Sequence, residues 1–190
     1  IVFPDSKRQT LEFDIFSQDS FKSNLELLLK NFDTGIDGIE LQDFDVNNDA
    51  NIPSEIVESI QKDLLAIGSP NRASVRIADG ARFIVSLDET TSELKGLKLM
   101  TAHDVKSENR QELLEIYEES DGTQRLFDIL PGLMDLISTE RVFLIDELDR
   151  SLHPQLSRKI IELFLNASIK HKSQLIFTTH EASLLDLDLL

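Results

Sequence analysis

The chain has 190 residues, of which 41% are hydrophobic, so it is long enough and apolar enough to form a core rather than remain disordered. Its 35 acidic residues outnumber its 19 basic residues, and the formal net charge of −16 disfavours nucleic-acid binding by this surface. The absence of cysteine excludes disulfides and thiolate metal sites, and no apolar run reaches the roughly 20 residues that span a membrane. We therefore expect a cytoplasmic protein with no membrane partner.

Residues 1–72 are predicted to form a helical and acidic insertion region. Leucines at helical spacing in residues 25–29 mark one amphipathic turn, and isoleucines and a leucine in residues 56–64 mark a second helix. The polar residues 47–51 form a connector between them, and Ser54 is a candidate cap for the second helix.

Residues 73–118 are predicted to form a β-rich segment. Apolar residues in 74–77 and 82–85 flank Asp79-Gly80, which is a strong hairpin signal. Two further strands are predicted, at residues 97–100 and 113–117.

Residues 119–190 are predicted to alternate between helices and strands. Apolar residues at helical spacing from 126 to 137 indicate a helix that Pro131 kinks or divides. Apolar runs at 142–145 and 175–177 are typical of strands buried on both faces, and a helix that begins at Pro154 joins them. Because such a connection makes a right-handed parallel unit, the predicted fold class is α/β, with both strands ending at one edge of the sheet.

Polar residues follow both of these strands. Asp146 and Glu147 follow the first strand, and Thr178, Thr179 and His180 follow the second, at the edge where open α/β sheets bind ligands. An apolar run followed by Asp-Glu has the form of a Walker B element, in which the first acid holds magnesium and the second polarises water. The pattern alone also suits polar residues that merely close a strand, and a single histidine there is more often structural. The combination favours a nucleotide site, because His180 can donate to a γ-phosphate oxygen.

A third element lies at residues 120–124, at the start of the predicted helix. Ser120 suits a helix cap, Gly122 leaves the first turn open, and the exposed amides together with the helix dipole can bind an anion. Taken alone, a capping turn is the simpler interpretation.

Together, the three elements resemble the ABC-type ATPases, the class that includes transporter ATPase subunits and the SMC and RecF proteins. Residues 120–124 resemble the signature motif, residues 142–147 the Walker B element, residues 148–154 the D-loop, and His180 the switch histidine. The amino-acid sequences of these motifs are most similar to those of the AAA15/AAA21-type ATPases of phage-defence and toxin-like operons. Residues 31–39 also resemble a segment of these ATPases. The resemblance implies a P-loop NTPase fold of the ABC-ATPase type, in which residues 119–190 supply the C-terminal part of the parallel sheet.

The resemblance also implies that ATP and Mg²⁺ are bound between two copies of the protein arranged head to tail. It makes Asp146 the magnesium residue and Glu147 and His180 the catalytic residues. The residues implied to contact nucleotide are Ser120, Asp121, Gly122, Thr123, Gln124, Asp149, Ser151 and His153.

The sequence departs from the general pattern of the ABC-type ATPases at three points. It contains no G-x-x-x-x-G-K-[ST] phosphate-binding loop. We expect that loop upstream of Ile1 in a longer protein, and we expect the 190-residue chain alone to bind ATP poorly and to be inactive. Asp121 replaces a glycine of the transporter signature and His153 replaces an aspartate of the transporter D-loop, which favours the AAA15 type over a transporter subunit.

The implied function is ATP hydrolysis by a dimer that regulates an effector, a nuclease or a toxin, in a bacterial phage-defence system. One alternative is a DNA-repair ATPase of the RecF kind. Such a protein needs long coiled-coil heptads or a basic surface that faces DNA, and this chain has neither. DNA would then be bound through parts outside this chain. A second alternative is a nucleotide-gated scaffold without turnover, which the missing phosphate-binding loop leaves open.

Overall fold

The computed structural model describes residues 1–2, 11–49, 52–67, 72–76, 82–88, 91, 93–105, 109–168 and 172–185. The helices are α1 (Leu11–Ser17), α2 (Asp19–Asn31), α3 (Ser54–Ile67), α4 (Asp121–Ser138) and α5 (Pro154–Ser168). The strands are β1 (Gly38–Asp45), β2 (Arg72–Arg76), β3 (Arg82–Leu87), β4 (Leu94–Val105), β5 (Arg110–Glu115), β6 (Val142–Ile145) and β7 (Gln174–Phe177). Short 3-10 helices cover Ile116–Glu118 and Ala182–Leu185.

The chain divides into two compact units, and the division passes through α2. The antiparallel unit comprises Gln9–Glu26 and Gly35–Glu119. The parallel unit comprises Ile1–Arg8, Leu27–Thr34 and Ser120–Leu190, and it contains all the residues predicted to act in the site.

The antiparallel unit is built around β4, the longest described strand. β4 pairs along one edge with β1, from Gly38↔Ala102 to Asp45↔Lys95. Along its other edge it pairs first with β3 and then with β5, and β2 pairs with the outer edge of β3. All four pairings are antiparallel, and this five-stranded sheet lies outside residues 119–190, for which the parallel sheet is expected.

Most elements of this unit match the sequence-based predictions, but β1 does not. The predicted helix at 56–64 is confirmed as α3, and the predicted hairpin is confirmed by the β2–β3 pairing. Its turn, Asp79-Gly80, lies outside the described residues. The strand predicted at 113–117 ends at Glu115, because Glu115 and Glu118 form a capping box that starts a 3-10 helix. β1 was not predicted at all.

The core of the antiparallel unit lies between α3 and the sheet. Leu64 of α3 is fully buried, and so are Phe83 and Val85 of β3, which belong to the same apolar cluster. A buried ion pair links α1 to β3, with Arg82 Nε 2.7 Å from Glu12 Oε1 and the two side chains 9% and 1% exposed.

The parallel unit contains the predicted strand–helix–strand element. β6 and β7 are parallel, from Val142↔Gln174 to Ile145↔Phe177, and α5 connects them. Val2 adds a parallel bridge on the other edge of β6, where its N–H donates to the Leu144 carbonyl over 2.8 Å. This confirms the parallel pair within a mixed α/β protein.

The burial of β6 and β7 differs from the prediction. Phe143 packs toward α4, since a Cβ added to Gly132 would lie 2.5 Å from the tip of the Phe143 ring. The opposite face exposes Val142 (54%), Leu144 (36%) and Ile176 (52%). The prediction of strands buried on both faces is therefore wrong here, because none of the described residues covers this apolar face.

Helix α4 runs without interruption through Pro131, so of the two expected effects, a kink or a division, the proline does not divide the helix. Its buried face, which includes Phe127, Leu130 and Leu133 on both sides of the proline, packs in the core and stabilises the helix despite the missing N–H donor.

No helix among the described residues is long and apolar enough to cross a membrane.

Candidate functional site

The ends of β6 and β7 bring together Asp146, Glu147 and Thr178. The Thr178 hydroxyl donates to Asp146 Oδ1 over 2.6 Å and accepts the Glu147 N–H over 2.8 Å. The Thr178 backbone binds the same segment, because its N–H donates to Ile145 O and its carbonyl accepts the Leu148 N–H. One threonine therefore holds both predicted acidic residues at the strand ends.

Glu147 has a left-handed backbone, with φ of 50°. This conformation costs a non-glycine residue about 1 kcal/mol or more, so the surrounding hydrogen bonds have to compensate it. The Glu147 carboxylate lies between two nitrogen-bearing side chains: Oε1 is 3.6 Å from His180 Nε2, and Oε2 is 3.4 Å from Arg150 Nη1. The structure thus brings the two predicted catalytic residues together. We call Asp146, Glu147, Thr178 and His180 the strand-tip group.

Asp149 connects the predicted D-loop to the end of β7. Its Oδ1 accepts the His180 N–H over 3.1 Å, and its carboxylate also accepts from the Thr179 hydroxyl. Burial acts to raise the pKa of Asp149, but these hydrogen bonds outweigh burial and hold the pKa below its ordinary value of 3.8. Asp149 therefore joins two loops through hydrogen bonds in this structure.

The predicted signature residues form the first turn of α4, and Ser120 is its cap. Ser120 Oγ accepts the Thr123 N–H over 3.2 Å and lies 2.9 Å from Thr123 Oγ1, while the Gln124 N–H donates to the Ser120 carbonyl. Asp121 is exposed in this turn. The turn combines a capping serine with the positive end of an 18-residue helix, an arrangement that attracts anions.

Gly122 brings the signature turn close to the D-loop. A Cβ added at Gly122 would lie 3.0 Å from the Ser151 carbonyl oxygen, so a larger residue would push the two segments apart. Ser151 itself has a left-handed backbone, with φ of 62°. The two predicted nucleotide-binding segments are therefore packed directly against each other.

A cleft of about 820 Å³ opens beside these segments, and we call it the signature cleft. The predicted residues that line it are Ser120, Asp121, Gly122, Thr123, Ser151 and His153. Gln124 and Asp149 do not line it, and neither do the acidic residues of the strand-tip group. Apart from Gln124 and Asp149, the predicted site residues thus form two groups within the parallel unit.

Sequence reasoning missed several residues of these two groups. Arg150, which contacts Glu147, carried no signal beyond its place in the D-loop. Lys159 and Phe32 line the signature cleft, with Lys159 Nζ 5.5 Å from the centre of the Phe32 ring and in contact with the Asn31 carbonyl oxygen. The resemblance of residues 31–39 to the family was the one signal for Phe32. Thr178 was expected at the edge, but its contacts with both acidic residues were not.

The strand-tip group fits a magnesium ion that takes most of its ligands from elsewhere. Among the described residues, no group of three or more His, Cys, Asp or Glu side chains is able to hold a metal by itself. Mg²⁺ in nucleotide sites is bound by one or two carboxylates, with waters and phosphate oxygens as the other ligands. The half-buried Asp146 carboxylate, oriented by Thr178, is suited to that single role.

A protein-family model matches residues 13–186, which is most of the chain. The matching family is AAA_21, described as "AAA domain, putative AbiEii toxin, Type IV TA system". Comparisons with curated proteins and with solved structures give no match. The chain therefore belongs to the AAA_21 family and carries an AAA ATPase domain of the P-loop NTPase class.

Proposed function

We propose that the full-length protein is a Mg²⁺-dependent ATPase in which this chain supplies the residues that activate water. The strand-tip group is the observation that supports this function. Asp146, Glu147 and His180 converge at the carboxyl ends of two parallel strands, where α/β proteins bind their ligands. A strand closed by ordinary polar residues would not need the Thr178 hydroxyl to join the two acids.

Each residue of the strand-tip group has a distinct role in this proposal. Asp146 holds the magnesium ion, which supplies charge neutralisation at the phosphate oxygens when it is bound. Glu147 orients the attacking water and accepts its proton while the bond between the γ-phosphorus and the ADP oxygen breaks. His180, whose side chain is 82% exposed and has its Nε2 3.6 Å from Glu147 Oε1, donates to a γ-phosphate oxygen.

The separation of the two groups of site residues supports a head-to-tail dimer. The signature cleft has a capped helix start and Lys159, yet none of the strand-tip carboxylates lines it. A nucleotide held at the strand tips of one copy would then be covered by the signature cleft of the other. The phosphate-binding loop, which the sequence lacks, would come from residues outside this chain.

The biological output we propose is regulation of an effector, a nuclease or a toxin, in phage defence. The family description, which refers to a toxin and a toxin–antitoxin system, supports this direction. The strongly acidic composition also favours a protein effector over direct DNA contact by this chain.

The proposal is tested by ATP turnover in the full-length protein with Glu147→Gln. We expect Glu147→Gln to keep ATP binding and to slow Mg²⁺-dependent hydrolysis by at least about 100-fold, the effect of removing a general base. Glu140→Gln changes an exposed carboxylate in the turn before β6 and serves as the matched control.

Two outcomes would contradict the proposal. Hydrolysis by Glu147→Gln at the wild-type rate would remove Glu147 from the mechanism. ATP binding without hydrolysis by the wild-type protein would instead favour the nucleotide-gated scaffold.

A further inference from the structure

We infer that Arg150 is a positioning residue for Glu147, so that its guanidinium selects which carboxylate oxygen faces the attacking water. This inference rests on the proposed ATPase function. Arg150 Nη1 donates to Glu147 Oε2 over 3.4 Å, and the Arg150 N–H donates to the Glu147 carbonyl over 3.1 Å. Glu147 and Arg150 thus form a turn that is held by one backbone hydrogen bond and one side-chain hydrogen bond.

Glu147 needs such a restraint because its side chain is only partly enclosed. Its side chain is 35% exposed, and its left-handed backbone places it beyond the end of β6. Fixing a glutamate side chain costs conformational entropy, which a free carboxylate would have to lose at each turnover. A contact already present in the folded protein removes part of that cost from the reaction.

The geometry also gives the two carboxylate oxygens different environments. Oε2 faces Arg150, and Oε1 faces His180 at 3.6 Å. A guanidinium has donors only and does not lose its proton in the working pH range, so it keeps Oε2 engaged. Oε1 is then the oxygen that accepts the proton from water, on the side where His180 meets the phosphate.

The contact is too exposed to act mainly through folding. The Arg150 side chain is 48% exposed, and ion pairs of this kind contribute little to the free energy of unfolding. The chain offers a matched surface pair in Arg158 and Glu162 of α5, which are 2.9 Å apart with side chains 41% and 45% exposed. If surface pairing were the whole role of Arg150, the two arginines would be equally dispensable for turnover.

The test measures kcat and KM for Mg²⁺-ATP in the full-length protein for Arg150→Ala, Arg150→Lys and Arg158→Ala. We expect Arg150→Ala to lower kcat about 10-fold and to leave KM within about twofold, the effect of losing an outer positioning group. Arg150→Lys, which keeps a donor, should restore part of kcat, and Arg158→Ala should match the wild type. In single-turnover experiments, Arg150→Ala should add no loss to Glu147→Gln, because Arg150 acts through the Glu147 carboxylate.

The outcomes separate this inference from the proposed function. If Glu147→Gln abolishes turnover while Arg150→Ala retains the wild-type kcat, the ATPase stands and the role of Arg150 is wrong. An additional loss in the double variant, or a rise in KM that accounts for the whole effect, would mean that Arg150 contacts the ligand itself, which also overturns the inference. Wild-type turnover by Glu147→Gln would overturn the proposed function.

Discussion

The Thr178 hydroxyl lies 2.6 Å from the Asp146 carboxylate and uses its donor and its acceptor at the same time. Through the donor it orients the proposed magnesium residue, and through the acceptor it holds the N–H of Glu147. These hydrogen bonds hold the residues at the ends of two neighbouring strands together before any ligand binds. This preorganisation is what a site needs to stabilise charge without moving at the moment of reaction.

Replacing Thr178 with valine tests the role of the two hydrogen bonds made by the Thr178 hydroxyl. Valine keeps the shape of threonine but removes the hydroxyl, and a hydrogen bond to a charged group contributes about 1.5–3 kcal/mol. We expect Thr178→Val to raise the Mg²⁺ concentration for half-maximal ATPase activity by about 10-fold, in line with the loss of an outer-shell partner. Magnesium titrations of the full-length protein would measure it. Thr178→Ser keeps the hydroxyl and is the control, so equal titration curves for the two variants would contradict the prediction.

The lowered pKa of Asp149 predicts a stability difference that depends on pH. A carboxyl whose pKa is lower in the folded state adds stability above its ordinary pKa of 3.8 and loses it as the pH falls through the folded value. We expect Asp149→Asn to lower the Tm by about 2–4 °C near pH 7, which corresponds to about 1 kcal/mol. The gap should persist down to about pH 4 and close below it. Thermal unfolding of both proteins across pH 3–7 would show this, whereas a gap independent of pH would mean that the charge of Asp149 is not involved.

The buried pair of Glu12 and Arg82 predicts a large and asymmetric effect on folding. Arg82→Met would leave the Glu12 carboxylate buried without its guanidinium, and breaking a buried pair in this way costs about 3–5 kcal/mol. Glu12→Gln combined with Arg82→Met also removes the buried negative charge and should recover much of that loss. Urea unfolding gives the free energies for the single and double variants. A double variant less stable than Arg82→Met would show that the pair is not the source of the effect.

The elements that the sequence predicted well are those with a strong local pattern. The apolar runs of β6 and β7 with Pro154 between them define the parallel unit, and the pattern of Ser120 before an apolar helix marks the start of α4. These patterns are local, so no knowledge of distant contacts was needed.

The elements that the sequence did not predict depend on partners far along the chain. Four of the eight residues of β1 are exposed, and the strand exists because β4 pairs with it from 50 or more residues away. Burial of α4 on both sides of Pro131 likewise overrides the local preference to break the helix. In the candidate site, the acids and the histidine follow from strand ends, whereas the contact of Arg150 with Glu147 depends on a left-handed turn that sequence spacing does not reveal.

The exposed apolar face formed by Val142, Leu144 and Ile176 has a practical consequence for measurements in solution. An uncovered patch of aliphatic side chains favours association, so we expect preparations in which it stays uncovered to self-associate as concentration rises. Such association does not need nucleotide, and it would look like a dimer in sedimentation or scattering. Only the fraction of association that appears with Mg²⁺-ATP and disappears after hydrolysis reports on the proposed head-to-tail dimer.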